Sequence, residues 1–180
     1  SSAGERVRPG PNRRAKEISL VMEKALIPVV DLTEFPNSVV DIFIELPQTD
    51  AGTRCAAICA ASIALADAGI PMKTMISAVA VGKVDDKVLV DLEYAEEAYE
   101  DGEVADVPVA FIPGTNKMTL LQMDGDITKE DLKKALELGK NVCEKIYEVQ
   151  KDAVKSKYKD NEKDNKKSKT IKSEKSKVSE

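Results

Sequence analysis

The order of apolar and polar positions divides the chain into elements. Ile18, Val21, Met22, Ala25 and Leu26 recur at helical spacing and predict a helix from about Asn12, its cap, to about Ile27. Residues 1–12 hold Gly4, Pro9, Gly10 and Pro11 and read as an irregular lead-in. Val40, Ile42, Ile44 and Leu46 then alternate with Asp41, Phe43 and Glu45, the period of two expected of a strand with one buried face. Thr49-Asp50-Ala51-Gly52-Thr53-Arg54 is a polar turn, and the run from Cys55 to Ala66 is apolar all round apart from Ser62. A helix of that kind, built largely from small residues, has to be packed closely from several sides. Ala68-Gly69-Ile70-Pro71 stops it.

A hairpin follows, with strands over residues 74–82 and 87–92 and Asp85-Asp86 at its tip. A second strand pair, residues 107–112 and 117–123, turns around Pro113-Gly114-Thr115-Asn116. Thr128-x-x-Asp131 resembles a capping box and opens a long helix, with Leu132, Leu136, Val142, Ile146 and Val149 at helical spacing to about Lys155. From Lys159 to Glu180 the chain holds eight lysines, five acids and almost nothing apolar, the composition of a disordered tail. The expected class is α+β, with one domain over residues 1–158 and a Lys-rich tail over 159–180.

Composition changes this picture in two places. The absence of histidine removes Ser-His-Asp and Cys-His nucleophile systems and His-based metal sites together. Acid–base chemistry is left to Asp, Glu, Lys, Cys or Tyr. The net charge of −5 argues against a general polyanion binder, yet all five arginines (Arg6, Arg8, Arg13, Arg14, Arg54) lie in the first 54 residues. Arginine grips phosphate with a planar fork, so the cluster points to phosphodiester recognition. Cys55, Cys59 and Cys143 form no CxxC pair and read as buried thiols. The longest apolar run, about a dozen residues, is well short of the roughly 20 needed to cross a bilayer. The chain does not begin with Met and shows no leader pattern, so it is expected to be a cytoplasmic protein seen as a fragment.

The polar turn has two readings. The first-turn N–H groups of the buried helix have no intrahelical partner, and the helix dipole is positive there, which makes Gly52, Thr53 and Arg54 candidate anion ligands. Alternatively Asp50 caps the helix and pairs with Arg54. Arg13 and Arg14 repeat the pattern of cations at a positive helix end, and a shared anionic ligand would resolve both. Residues 91–106 carry eight carboxylates (Asp91, Glu93, Glu96, Glu97, Glu100, Asp101, Glu103, Asp106) and no Lys or Arg. Most such runs are solvated faces. Asp106 abuts an apolar strand and should be held on the scaffold.

The stretches Arg8-Pro9-Gly10-Pro11-Asn12-Arg13-Arg14, Val40-Asp41-Ile42-Phe43-Ile44-Glu45, Asp50-Ala51-Gly52-Thr53-Arg54, Ala68-Gly69-Ile70-Pro71-Met72-Lys73 and Ala105-Asp106-Val107-Pro108 together resemble the RNase PH family of phosphorolytic 3′→5′ exoribonucleases. Within it the chain is most similar to the branch forming the catalytic ring of the archaeal exosome, over residues 5–158. The resemblance implies an RNase PH-like (ribosomal protein S5 domain 2-like) fold lacking its N-terminal β portion. It implies that inorganic phosphate, as co-substrate, sits at Gly52, Thr53 and Arg54 and attacks the last phosphodiester of RNA. Arg13 and Arg14 would hold the terminal phosphates of single-stranded RNA. Nucleoside 5′-diphosphates leave, and the reverse reaction tails RNA. A carboxyl group protonates the departing 3′ oxygen, and the acidic segment is a candidate Mg²⁺ site with Asp106 its named ligand.

The family places two acids six positions apart, the second matching Asp106. Six before Asp106 is Glu100, Asp101 is one position off, and the segment is about three residues longer than in relatives. Glu97, Glu100 and Asp101 therefore compete for the first role, and Asp101 is favoured because a loop insertion can restore its register. By resemblance the partners are a related non-catalytic subunit, three heterodimers making a hexameric ring, and cap subunits with RNA-binding domains. The alternatives are a homohexameric RNase PH trimming tRNA 3′ ends and a ring subunit that only threads RNA. A general RNA-binding module finds little support, because three Phe, four Tyr and no Trp offer few stacking platforms and none cluster by the arginines.

Overall fold

The computed structural model describes residues 13–177, with side chains described for 13–159. Arg6, Arg8, the Asn12 cap and the irregular lead-in fall outside the described residues. Of the described residues, those up to Tyr147 form one compact unit and those from Glu148 onward a second.

In the first unit, α1 (Arg13–Leu26) and α2 (Thr53–Asp67) precede a hairpin of β1 (Ser77–Val84) and β2 (Lys87–Val90). A one-turn helix α3 (Tyr94–Glu97) leads to β3 (Val104–Phe111), β4 (Met118–Leu121), β5 (Asp124–Gly125) and α4 (Lys129–Lys177). The sheet runs β2-β1-β3-β4, with β5 also on β3, and every pairing is antiparallel.

Both faces of the sheet are covered, so β1 and β3 are buried almost throughout and lack an exposed polar face. On one face Ala78, Ala80 and Ala110 lie with Met22, Ala25 and Leu26 of α1 and Ala57, Ile58, Ala61 and Leu65 of α2. Alanines on both sides let the backbones of α2 and the sheet approach closely, the reason for the small-residue run. On the other face Val79, Val81, Val107, Val109 and Phe111 meet Ala135 and Cys143 of α4, with Leu132, Leu136, Val142 and Ile146 packed at the margin. The polar atoms under α2 are paired, Ser62 Oγ accepting from the Ile76 N–H at 2.9 Å.

The helix boundaries follow their signals. Gly69 takes a positive φ of 74° after α2, and the Ile70 N–H returns to the Leu65 carbonyl at 3.1 Å. Thr128 Oγ1 accepts from the Asp131 N–H at 3.2 Å and donates to Asp131 Oδ2 at 3.0 Å, starting α4. The hairpin closes through Asp85 and Asp86, with Val84 opposite Lys87 and Asp85 at a φ of 51°.

Two expectations fail. Residues 40–46 form no strand: Ile42 and Leu46 are well exposed and Phe43 is 88% exposed, while only Val40 and Ile44 pack on the core. Alternation supplies a buried face, but a strand also needs a neighbour for its ladder, and among the described residues none lies beside this segment. The last helix does not stop near Lys155. It continues to Lys177, through much of the segment expected to be disordered. Lys and Glu are good helix formers and no Gly or Pro follows Gly139, so nothing local ends it. Its apolar stripe stops earlier, with Val149 70% exposed. No described helix is long and apolar enough to cross a membrane.

Candidate active site

The site is built where the polar turn meets the centre of the sheet. Ala51 and Gly52 both adopt left-handed backbone, with φ of 52° and 54°. For Ala51 this costs roughly 1–2 kcal/mol, strain of the kind that collects at functional turns. Gly52 is the N-cap of α2, and no side chain caps the helix. The first turn contains no acid. The buried helix thus presents its open N–H groups and its positive end to whatever lies in front.

Asp50 neither caps α2 nor pairs with Arg54. Its Oδ1 accepts from the Tyr94 N–H at 3.0 Å, which ties α3 to the turn. The start of α3 is further fixed by a capping box in which the Glu93 N–H donates to Glu96 Oε2 at 3.0 Å. So anchored, α3 delivers Glu97. The carboxyl of Glu97 is pushed above its ordinary value by burial, opposed by the Gly52 N–H, Arg54 and Arg14, with Asp50 raising it again. Glu97 therefore stands before the α2 N-terminus, and Arg14 of α1 faces the same group.

Asp106 arrives from the sheet. On β3, Val107 and Val109 pack with α4, so Asp106, of the opposite parity, points to the α2 face. It sits opposite Gly82 on β1 and Asp124 on β5. A Cβ on Gly82 would lie 2.0 Å from the Ala105 carbonyl oxygen, so only glycine allows β1 to run this close. Asp106 Oδ1 is buried without a hydrogen-bond partner. Burial pushes the Asp106 carboxyl up to about 6, helped by Glu97 and Asp124 and opposed by Arg54. Two carboxyls held near one another and partly desolvated share the pattern that keeps one protonated near neutral pH.

Arg54 completes the group. Its Nη1 donates to Gln122 Oε1 and lies 3.8 Å from Glu17 Oε1 of α1. Three elements distant in sequence thus meet at one guanidinium.

Of the residues singled out in the sequence, Gly52, Thr53, Arg54, Arg14 and Asp106 belong to this cluster. Arg13 is exposed and makes no side-chain hydrogen bond or ion pair among the described residues. Glu100 and Asp101 lie elsewhere. The adjoining Gly102 packs on the β1–β2 turn, where an added Cβ would fall 1.8 Å from Asp85 Oδ1, and the Asp85 N–H donates to the Glu103 carbonyl at 2.8 Å. Among the described residues no charged partner faces Glu100 or Asp101. Of the three candidates Glu97, Glu100 and Asp101, the one brought beside Asp106 is Glu97, and Asp124 joins it from β5. Sequence reading missed Glu17, Gln122 and Asp124. Asp124 could have been found from its cross-strand place, whereas Gln122 carried no signal beyond being the one polar side chain between Leu121 and Met123.

The thiols take no part. Burial raises Cys55 strongly and pushes Cys143 up to about 12, and the Cys59 Sγ lies against the Ala78 backbone at 3.3 Å. Among the described residues no three acidic or thiol groups converge as a metal cage.

Two family models match the chain, "3′ exoribonuclease family, domain 1" over residues 1–71 and "3′ exoribonuclease family, domain 2" over residues 74–142. The chain is 50% identical over 157 residues to the exosome complex component Rrp41 of Nitrosopumilus maritimus, covering 87% of this chain and 63% of the relative. It is 51% identical to the Rrp41 components of Methanopyrus kandleri and Thermococcus gammatolerans, covering 64% and 62% of them. The chain therefore spans less than two thirds of the length of these relatives. Among solved structures, rice Rrp46 shares the fold with a TM-score of 0.74 at 22% identity, covering 82% of this chain and 69% of that one.

Proposed function

We propose, from the premise that this chain belongs to the 3′ exoribonuclease (RNase PH) family, that its site degrades RNA from the 3′ end with inorganic phosphate as the attacking group. The observation that carries the reading is the uncapped N-terminus of α2, with Arg54 beside it and two raised carboxyls, Glu97 and Asp106, in front. A phosphate seated on Gly52, Thr53 and Arg54 meets N–H donors and a guanidinium already in place. One of its oxygens forms a bond to the phosphorus of the terminal phosphodiester as the bond to the 3′ oxygen breaks. The products are a nucleoside 5′-diphosphate and RNA shorter by one nucleotide. The reverse direction adds nucleotides. Charge on the in-line transition state spreads over Arg54, Arg14 and the α2 N–H groups, and a carboxyl hands its proton to the departing oxygen.

We assign that carboxyl to the Glu97–Asp106 pair and not to Asp101 or Glu100, because only Glu97 is carried to the anion seat. Arg13 and Arg14 at the start of α1 take the RNA phosphates behind the scissile one. Mg²⁺ fits here only as a lightly held ion: Asp106 offers an unpartnered oxygen, Asp124 is its cross-strand neighbour, and Mg²⁺ needs no more than one or two carboxylates when phosphates supply the rest. Bound there it would screen phosphate charge.

The relatives named Rrp41 favour an exosome of the archaeal kind. In that assembly the full-length protein alternates with a related non-catalytic subunit in a six-membered cytoplasmic ring beneath RNA-binding caps. The test is single-stranded, 5′-labelled RNA given to the full-length protein with its ring partner, with and without phosphate. Shortening that needs phosphate, yields diphosphates and disappears in Arg54→Ala supports the reading. Monophosphates released without phosphate, or RNA bound and never shortened, would overturn it.

A further inference from the structure

The guanidinium of Arg54 is held from one side only. Its Nη1 is engaged by Gln122 Oε1 and faces Glu17 Oε1 at 3.8 Å, while among the described residues no acceptor meets Nε or Nη2. The Nε–Nη2 edge carries two parallel N–H bonds, the edge that grips an oxyanion in two places. The backbone of Gln122 is itself fixed, its main-chain N–H donating to the Pro108 carbonyl at 3.1 Å, two residues beyond Asp106 on β3. A chain of hydrogen bonds thus runs from the strand bearing Asp106 through Gln122 to Arg54. The partner is also neutral. An amide oxygen orients the guanidinium and adds no charge of its own, so what offsets the Arg54 charge is the half-exposed, water-screened Glu17 at 3.8 Å together with Glu97 and Asp106 across the site.

We propose that Gln122 is a positioning residue for the anion seat: it fixes Arg54 by Nη1, so that the Nε–Nη2 edge faces the incoming phosphate in register with Asp106. This rests on the phosphorolytic reading above. A residue with that task sets the affinity for phosphate and leaves the RNA contacts of α1 untouched.

The test is steady-state phosphorolysis by the full-length protein in its ring, with Gln122→Met, Gln122→Ala and Arg54→Lys singly and Gln122→Met combined with Arg54→Lys. Gln122→Met keeps the volume and removes the acceptor, so it serves if Gln122→Ala does not fold. The expected result for Gln122→Met is a KM for inorganic phosphate raised about tenfold, by loss of a charge-assisted hydrogen bond, with kcat and the KM for RNA within about twofold. In the Arg54→Lys background the same change has little further effect, because a lysine cannot present the oriented edge. Arg54→Ala run alongside separates the two levels. If it leaves phosphate dependence intact, the phosphorolytic site and this proposal fall together. If it abolishes that dependence while Gln122→Met leaves the phosphate KM unchanged, lowers all parameters alike or adds fully to Arg54→Lys, the positioning role alone is overturned.

Discussion

The acidic run 91–106 behaves as two regions with opposite fates. Its first part, through Glu97, is drawn to the α2 N-terminus by the Asp50–Tyr94 hydrogen bond and the Glu93–Glu96 capping box. Its second part, Glu100 to Glu103, turns away and lies along the β1–β2 tip, where Gly102 packs on Asp85. Both are rich in acids, but only the first is anchored to the turn that opens α2, the second being held to the β1–β2 tip instead. The acid that reaches the anion seat is the one with a fixed route to it, whereas a six-residue spacing from Asp106 points to Glu100, beyond the anchored part.

The largest expected effect breaks this comparison directly. Glu97→Gln in the full-length protein should lower kcat for phosphorolysis by about 10²–10⁴, the contribution of a positioned proton donor. Single-turnover rates at saturating phosphate would read it, and a loss under fivefold would remove Glu97 as the donor and leave Asp106 as the remaining member of the pair.

Asp106 gives the next effect, in pH. Its folded value of about 6 lies above that of an unfolded aspartate, so its protonated form is the one folding favours. The stability it contributes is fully present below the unfolded value near 4 and is lost as pH rises through about 6. Thermal unfolding followed from pH 4 to 7 should show a falling Tm that flattens in Asp106→Asn. An identical slope in both proteins would refute the shift.

Asp50→Ala should then cost about tenfold in turnover, because cutting the tether to Tyr94 releases α3, while Arg54 stays in place. An unchanged rate would show that the capping box alone positions Glu97. Smallest of all, Asp101→Asn should change kcat and both KM values by less than about twofold, as expected for an unpartnered surface acid.

Much of this fold was legible because its elements have local signals. The 3.6-residue stripe of α1, the Thr128–Asp131 start of α4, the Asp85-Asp86 tip and the Gly69 stop all act through neighbours in sequence. Residues 40–46 show the limit, since their alternation is real but their hydrogen-bond partners would have to come from elsewhere in space. The turn at Gly52 was legible as an anion seat because glycine, threonine and arginine at a helix start are chemically informative. Glu97 was one of three candidates and lost to Asp101 on register. What decides between them is Asp50 Oδ1 reaching Tyr94, a contact across 44 positions. Gln122 was invisible for the same reason, because its meaning lies in Arg54, 68 positions away.

The central claim is that Glu97, and not Asp101, faces the phosphate seat, and equilibrium binding tests it most directly. Binding of inorganic phosphate to the full-length protein would be measured for the native chain, Glu97→Gln and Asp101→Asn across about pH 6 to 9, because burial raises the Glu97 carboxyl and its charge develops as pH rises. Removing a carboxylate from in front of Gly52 and Arg54 should tighten phosphate binding in Glu97→Gln even as turnover collapses, with Asp101→Asn indistinguishable from the native chain. Tighter binding in Asp101→Asn, or no change in Glu97→Gln, would contradict the placement.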